Sequence, residues 1–557
     1  MTRGLTTILF SWLIYSVHAI PKITRTGRYL YDDSGQRFYI KGVAYQPEGA
    51  VLSGPDNGFL EPSTFVDPLA DGAACKRDLP FLQQLGVNAL RIYSVDSTLN
   101  HDDCMNTFSQ AGIYTIIDLG LPVNGSIDRT GPTWTTNLLN EYTATITTFE
   151  KYDNVLAYNV GNEVIEQTTI PSAPFVKAAA RDVKAFLKSK GSNRLVGYAS
   201  IDGPADFKQT VADYLSCDPS SANSDATSID IFGLNNYEWC GDSNFQANYA
   251  GTTQLFQDYN VVAYLSEFGC ITKPPRLWTE VAAIFSSDMS PVWSGGLAFS
   301  YFSRLSDAGD YGMVTISSDN TTVTPNNDFN VLKTQYNSVS FINSPSQSSA
   351  GSSSFPSCPS SASFAASNTL PPTPDNSACN CLENNLSCQF TPQTSNFSVI
   401  VGELLDTGCS LLGGAGGNCN DISADGQAGV YGRVSECDPT VKLSYVMSQF
   451  FEANKRDPQA CSFAGNGTVN DQAATTVSAL AVATSCLANP SATFVPSAAP
   501  TSASGGGASN GGGSSAGGSG GSGNTGAAMG LSVPVGALVG VSVVTVFAAL
   551  SGIMVVL

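Results

Sequence analysis

Eight short apolar runs alternating with longer helical stretches constrain this chain more than any other feature. The runs are Tyr39–Tyr45, Asn88–Tyr93, Tyr114–Gly120, Val155–Glu163, Leu195–Ser200, Ile229–Trp239, Val261–Gly269 and Gly295–Ser303. Between them lie amphipathic or capped segments such as Cys75–Leu85, Asn137–Lys151, Ala173–Lys190 and Leu277–Ser286. Strand, crossover helix, strand is how a parallel sheet is built. Eight repeats in about 320 residues predict an α/β domain of the (β/α)8 TIM-barrel type over residues 20–342. An open doubly wound sheet is the alternative, but no Gly-rich phosphate fingerprint follows the first run.

Beyond the barrel the composition changes. Residues 343–374 are rich in Ser and Pro and nearly uncharged, the signature of a linker. Residues 375–490 hold Cys379, Cys381, Cys388, Cys409, Cys419, Cys437, Cys461 and Cys486, with one clear amphipathic helix at Val441–Asn454. A segment of this size predicts a small, partly helical domain stapled by disulfides. Residues 491–528 form a Ser/Gly-rich stalk.

Both ends carry processing patterns. Residues 1–19 combine Arg3, an apolar run and Ala19, as a secretory signal peptide does. Residues 529–557 are apolar, with no Lys or Arg after Leu557, and small residues lie upstream around Asn524. That pattern predicts a glycosylphosphatidylinositol (GPI) signal attached at Asn524, so that a lipid holds the protein on the outer face of the plasma membrane or passes it to a cell wall. A tail-spanning helix is the alternative.

Secretion turns the even count of 14 cysteines into a disulfide framework rather than a metal site. Cys75 and Cys104 are expected in loops after strands one and two, and Cys240 and Cys270 in loops after strands six and seven. Pairing within each set would staple neighbouring loops and leave Cys217 for Cys358, although spacing alone does not determine connectivity. Asn124, Asn320, Asn385, Asn396 and Asn466 stand in glycosylation sequons. A formal charge of −20 argues against nucleic-acid binding, which needs clustered cations. His18 leaves with the signal peptide, so His101 alone remains of the two histidines. Acid–base chemistry therefore falls to carboxylates, and no metal or cofactor is expected.

Two glutamates end strands. Glu163 closes Tyr158-Asn159-Val160-Gly161-Asn162-Glu163, and Glu267 lies in Tyr264-Leu265-Ser266-Glu267-Phe268-Gly269. Barrel enzymes place their chemistry at strand C-termini, and strands four and seven lie across the mouth. A carboxyl pair there suits glycosidic cleavage, in which one group protonates the leaving oxygen and the other meets the anomeric centre. Glu163 is expected as acid/base, its pKa raised by the charge of Glu267 and by burial. Asn162 is expected to bond a sugar 2-hydroxyl, and Tyr237 to orient Glu267. Tyr93, Trp239 and Tyr301, with Gln46 and Asp118, end strands in comparable places.

The runs Lys41-Gly42-Val43-Ala44-Tyr45-Gln46, Arg91-Ile92-Tyr93, Gly161-Asn162-Glu163, Asn236-Tyr237-Glu238-Trp239-Cys240-Gly241 and Ser266-Glu267-Phe268-Gly269-Cys270 resemble glycoside hydrolase family 72, as do Val292-Trp293-Ser294-Gly295-Gly296 and Tyr301-Phe302. These are the fungal β-1,3-glucanosyltransferases of the cell wall. Cys379-Asn380-Cys381, Cys388 and Ala460-Cys461-Ser462-Phe463 are similar to the X8 domain, carbohydrate-binding module family 43. The resemblance implies a retaining transfer between β-1,3-glucan donor and acceptor chains; a β-1,3-glucan hydrolase on the same barrel and a non-catalytic glucan-binding wall protein are the alternatives, and a monomer is expected. Glu163 would be acid/base and Glu267 nucleophile, with Tyr93, Asn162, Tyr237 and Tyr301 along the cleft. After strand five, Asp202 stands for the family's acidic residue, while Lys208 stands near an expected Arg.

Overall fold

Strands covered on both faces read as near-continuous apolar runs, and Tyr114-Thr115-Ile116-Ile117 is one of them. A computed structural model describes residues 20–50, 64–122, 125–359, 361, 363–395 and 397–487. The expected signal peptide at 1–19, Asn124, Asn396, the expected stalk at 491–528, Asn524 and residues 529–557 lie outside the described residues.

The eight runs form strands β1 (Ile40–Ala44), β2 (Ala89–Ile92), β3 (Tyr114–Asp118), β4 (Val155–Asn162), β5 (Leu195–Ile201), β6 (Ile231–Asn235), β7 (Val262–Phe268) and β8 (Trp293–Ala298). They close into one barrel in sequence order, β8 pairing with β1 in parallel. Two strands stop well short of the ends of their runs. β6 stops at Asn235, so Tyr237 and Trp239 belong to a loop at the barrel mouth. β8 stops at Ala298, so Tyr301 lies outside the sheet.

Helices α1 (Gly72–Leu85), α2 (Asp102–Gln110), α3 (Thr136–Phe149), α4 (Ala173–Ser189), α5 (Ala205–Ser216), α6 (Ala250–Leu255), α7 (Glu280–Ile284) and α8 (Asn327–Asn337) follow β1 to β8 in turn. Asp71 caps α1 by accepting from the Ala73 and Ala74 amides, and Gly86 ends it in a left-handed conformation. At the opposite end from the expected site, Ile40, Ala89, Ile231 and Val262 begin their strands and pack with Ile23 and Leu30. Leu30 belongs to a hairpin pairing Thr24–Thr26 with Tyr29–Tyr31. That plug leaves the C-terminal mouth as the open end.

Residues 343–374 are fastened to the barrel rather than strung between domains. The Tyr31 hydroxyl donates to the Pro345 carbonyl at 2.9 Å and the Asp218 amide to Pro356 at 2.8 Å. Cys358 is bonded to Cys217, and Arg181 donates to the Pro371 carbonyl at 2.8 Å. The acceptors here are backbone carbonyls, which composition does not reveal.

Among the described residues the cysteine-rich part holds four α-helices where one was legible: α9 (Asn376–Asn385), α10 (Ser398–Gly414), α11 (Pro439–Ala453) and α12 (Ala479–Cys486). Its disulfides are Cys379–Cys437, Cys381–Cys486, Cys388–Cys461 and Cys409–Cys419. On the barrel, Cys75 bonds Cys104 and Cys240 bonds Cys270. Cys75 and Cys104 sit in the first turns of α1 and α2, not in the loops expected for them: α1 starts at Gly72, ahead of the Cys75–Leu85 segment, and α2 is a helix beyond the segments named from the sequence. The two parts are joined: the Thr136 amide donates to the Glu436 carbonyl at 2.9 Å, and Tyr431 meets Phe175 edge-on at 5.8 Å. Asn320 and Asn385 are exposed and Asn466 is half-buried.

Candidate active site

A cavity of about 1180 Å³ opens at the C-terminal mouth, lined among others by Gln46, Tyr93, Asp118, Asn162, Glu163, Glu267 and Phe299. Its geometry begins with a charge inside an apolar strand. Arg91 lies third in β2, fully buried, and such a cation needs several acceptors. Its Nη2 donates to Asp118 Oδ2 at 2.7 Å and to Asn162 Oδ1 at 2.7 Å. Its Nη1 donates to Glu267 Oε1 at 3.1 Å and to Asn235 Oδ1 at 3.2 Å. Asn235, at the end of β6, then donates through Nδ2 to Glu163 Oε1 at 2.7 Å. One guanidinium and one amide thus tie the two glutamates into a single network.

The two carboxyls sit in opposite environments. Glu267 meets donors only: besides Arg91, the Tyr93 hydroxyl reaches Oε1 and the Tyr237 hydroxyl reaches Oε2, each at 2.7 Å. Burial, and then the Glu267 charge, raises the Tyr237 pKa well above the ordinary phenol value; for Tyr93, Arg91 opposes without reversing the same effect, so both stay protonated donors. Glu163 accepts one side-chain bond, and burial followed by the charge of Glu267 pushes its pKa up to about 7. Burial is the larger cause, where the sequence suggested the neighbouring charge first.

The backbone aims these groups. Glu163 sits at φ 52°, a left-handed conformation uncommon for a residue other than glycine. Its amide donates to the Ala199 carbonyl and its carbonyl accepts from Arg129 Nε, both at 2.9 Å. The β4–β5 register shifts between Asn159 and Asn162, and the β6–β7 register between Gly233 and Asn235. Irregularities of this kind re-aim side chains beside active sites. Asn162 accepts from Arg91 and Asn235 through Oδ1, which fixes its amide orientation and leaves its NH2 for the cavity.

Other expected residues take different places. Gln46 lines the cavity, but its amide is engaged: Oε1 accepts from the Tyr93 and Ser94 amides, and Nε2 donates to Val66. Asp118 pairs with Arg91 and accepts from Asn159 at 2.6 Å. Asp202 accepts from Lys208 and Asn236, each at 2.9 Å, and Lys208 also reaches Glu238, so lysine serves here as a bridge between two acids. Tyr301 does not line the cleft. It is fully buried against Tyr45 and Phe302, and Phe299 faces the cavity in its stead, because strand alternation ends at Ala298. His101 is buried against Phe149 and bonded to Asp67 at 2.8 Å, apart from the carboxyl pair. Asn235, Arg129 and Phe299 carry no sequence signal of their own. Arg91 does, as a charge within Ala89-Leu90-Arg91-Ile92.

A closed (β/α)8 barrel with a carboxyl pair across its C-terminal mouth defines the class of barrel glycoside hydrolases. Within that class the chain belongs to glycoside hydrolase family 72, the glucanosyltransferases, whose family model matches residues 13–340; the X8 domain model matches residues 386–468. The chain is 39% identical to the 1,3-beta-glucanosyltransferase gas1 of Schizosaccharomyces pombe, over 80% of this chain and 78% of that one. It is likewise 39% identical to gas2 of the same organism, covering 80% of this chain and 94% of the relative. Saccharomyces cerevisiae Gas2p in complex with laminaripentaose superposes with a TM-score of 0.71 at 34% identity, over 81% of this chain and 98% of that one.

Proposed function

We propose that this chain is a retaining β-1,3-glucanosyltransferase that cuts an internal β-1,3-glucan bond and passes the new reducing end to the non-reducing end of another chain. The observation that carries the chemistry is the contrast between the two carboxyls: Glu267 is met by three donors, while Glu163 is held near pKa 7. Glu267 attacks the anomeric carbon as Glu163 gives its proton to the departing glucan oxygen. Glu163, now ionised, takes the proton of an incoming sugar 3-hydroxyl, and that oxygen displaces Glu267. Asn162 offers its NH2 to the 2-hydroxyl beside the reacting carbon, and Tyr93 and Tyr237 hold the nucleophile. The choice of a β-1,3-glucan rests on the relatives' names and the laminaripentaose in Gas2p.

Transfer must outrun water, and a bound acceptor reaches effective molarities of about 10⁵–10⁸ M when well oriented. Further parts of the reading are a signal peptide at 1–19, a stalk at 491–528, a GPI anchor at Asn524 and a monomer on the outer face of the plasma membrane. Sugar on Asn320 and Asn385 fits their exposure. The test is incubation of the secreted, tail-less chain with one β-1,3-gluco-oligosaccharide, its products resolved by size. Products longer than the starting sugar are expected, and Glu163→Gln and Glu267→Gln each abolish them. Shorter products alone would make the enzyme a hydrolase, and turnover retained by either variant would overturn the carboxyl assignment.

A further inference from the structure

The cavity holding Glu163 and Glu267 does not end at the barrel. It continues past the loops after β3 and β4 to the cysteine-rich domain, where Phe397, Val401 and Leu405 line it. These residues stand at i, i+4 and i+8, so they share one face at the start of α10. The Phe397 ring is braced edge-on by Phe390 at 5.9 Å, and Val401 is buried in the core beneath it. Gly402 lies beside this stripe, and a Cβ there would meet nothing within 4 Å. Thr130 from the barrel and Asp438 and Thr440 at the start of α11 supply hydroxyl and carboxylate around the apolar strip.

We propose that this face of α10 is a remote subsite for the β-1,3-glucan chain whose reacting bond lies between the two glutamates; the inference rests on the glucan reading above. A ring beside aliphatic carbon matches the C–H face of a glucosyl unit, and the rim matches its hydroxyls. The volume of 1180 Å³ exceeds the roughly 300–1,000 Å³ that encloses a drug-sized ligand, so the cavity suits a chain of sugars. The second domain thereby extends the catalytic cleft.

Two full-length variants test this. Phe397→Ala removes the ring, and Gly402→Leu fills the cavity from a helical position that has room for it and favours leucine. Transfer rates are measured with a β-1,3-gluco-pentasaccharide and a decasaccharide, varied first as donor against one tagged acceptor and then as acceptor against one donor. The advantage of the decasaccharide is expected to fall roughly three- to tenfold in one arm, the size of an aromatic contact, and that arm identifies the chain that reaches α10. Phe397→Trp should restore it. An unchanged length preference in both arms, or an equal loss at both lengths, overturns the remote subsite while leaving the transferase reading intact. A wild-type enzyme inactive on every length overturns both.

Discussion

Glu163 is an acid whose protonation state is set by where its chain bends. Burial and Glu267 raise its pKa to about 7, while Asn235, Arg129 and Arg91 act in the opposite direction. In the proposed role the group must be protonated to release the leaving fragment, so kcat/KM should fall as pH rises through about 7 on the basic limb. A rate profile measured over pH checks this, and a basic limb that stays flat well above 7 contradicts the assignment. Arg129 adds a second expectation. Removing its charge in Arg129→Met should move that limb to higher pH, because a cation near Glu163 favours the ionised form. Its Nε also holds the Glu163 carbonyl, so kcat should drop as well, with Arg129→Lys restoring the pH limb better than kcat.

At the level of elements, adjoining strands transmit packing into the network. A Cβ added to Gly233 of β6 would lie 2.6 Å from Ser266 Cβ and Oγ, and Ser266 Oγ donates to Asn235 at 2.7 Å. Gly233→Ala should therefore displace the amide that bonds Glu163. A loss of up to roughly 10²-fold in kcat is expected from misplacement of about 1 Å, larger than any change in binding, and kinetics resolve the two. The loops after β6 and β7 are tied by Cys240–Cys270, three residues from Tyr237. Replacing both cysteines with serine should cost about 3–4 kcal/mol in chemical denaturation, by the loop entropy of a 30-residue separation. Because Tyr237 steadies Glu267, activity below the melting range should drop too; full activity there would separate the staple from the site.

Across the whole molecule, buried acids shape stability. Burial pushes Glu163, Glu280 and Glu383 up to about 7 and Glu436 to about 8, against an unfolded value of about 4.3. A raised folded pKa contributes stability that is complete below the unfolded value and is lost as pH rises through the folded one. Lys177 and Lys442, lowered by burial to about 7 and about 8, act oppositely, but only above those values. The melting temperature should therefore fall between about pH 5 and pH 7, with a shallower change beyond. Glu436 lies where the second domain meets the barrel, with Asp375 and Asp182 also raising its pKa. Glu436→Gln should raise the melting temperature at neutral pH and flatten its fall; a scan unchanged by this substitution counts against charge strain at that junction.

The order of strands and helices is legible in the sequence because each strand, covered on both faces, writes itself as an apolar run. Glu163 and Glu267 are legible for a related reason: a carboxyl at the end of such a run has no place in the core. Histidine scarcity narrowed the chemistry further. Where β6 and β8 end was not legible, since apolar residues continue past both, and this moved Tyr301 into the core and Phe299 onto the cavity. Asn235 and Arg129 were silent because an amide or a guanidinium gains a role only from the groups that surround it. The fastening of residues 343–374 was silent too, resting on backbone carbonyls that every residue carries. The sequence alone determines the barrel, the carboxyl pair and the cysteine-rich addition, because these follow from burial patterns and side-chain chemistry. Only the tertiary structure decides that Arg91 couples the glutamates, and that α10 lines their cavity, because both are contacts between segments far apart along the chain.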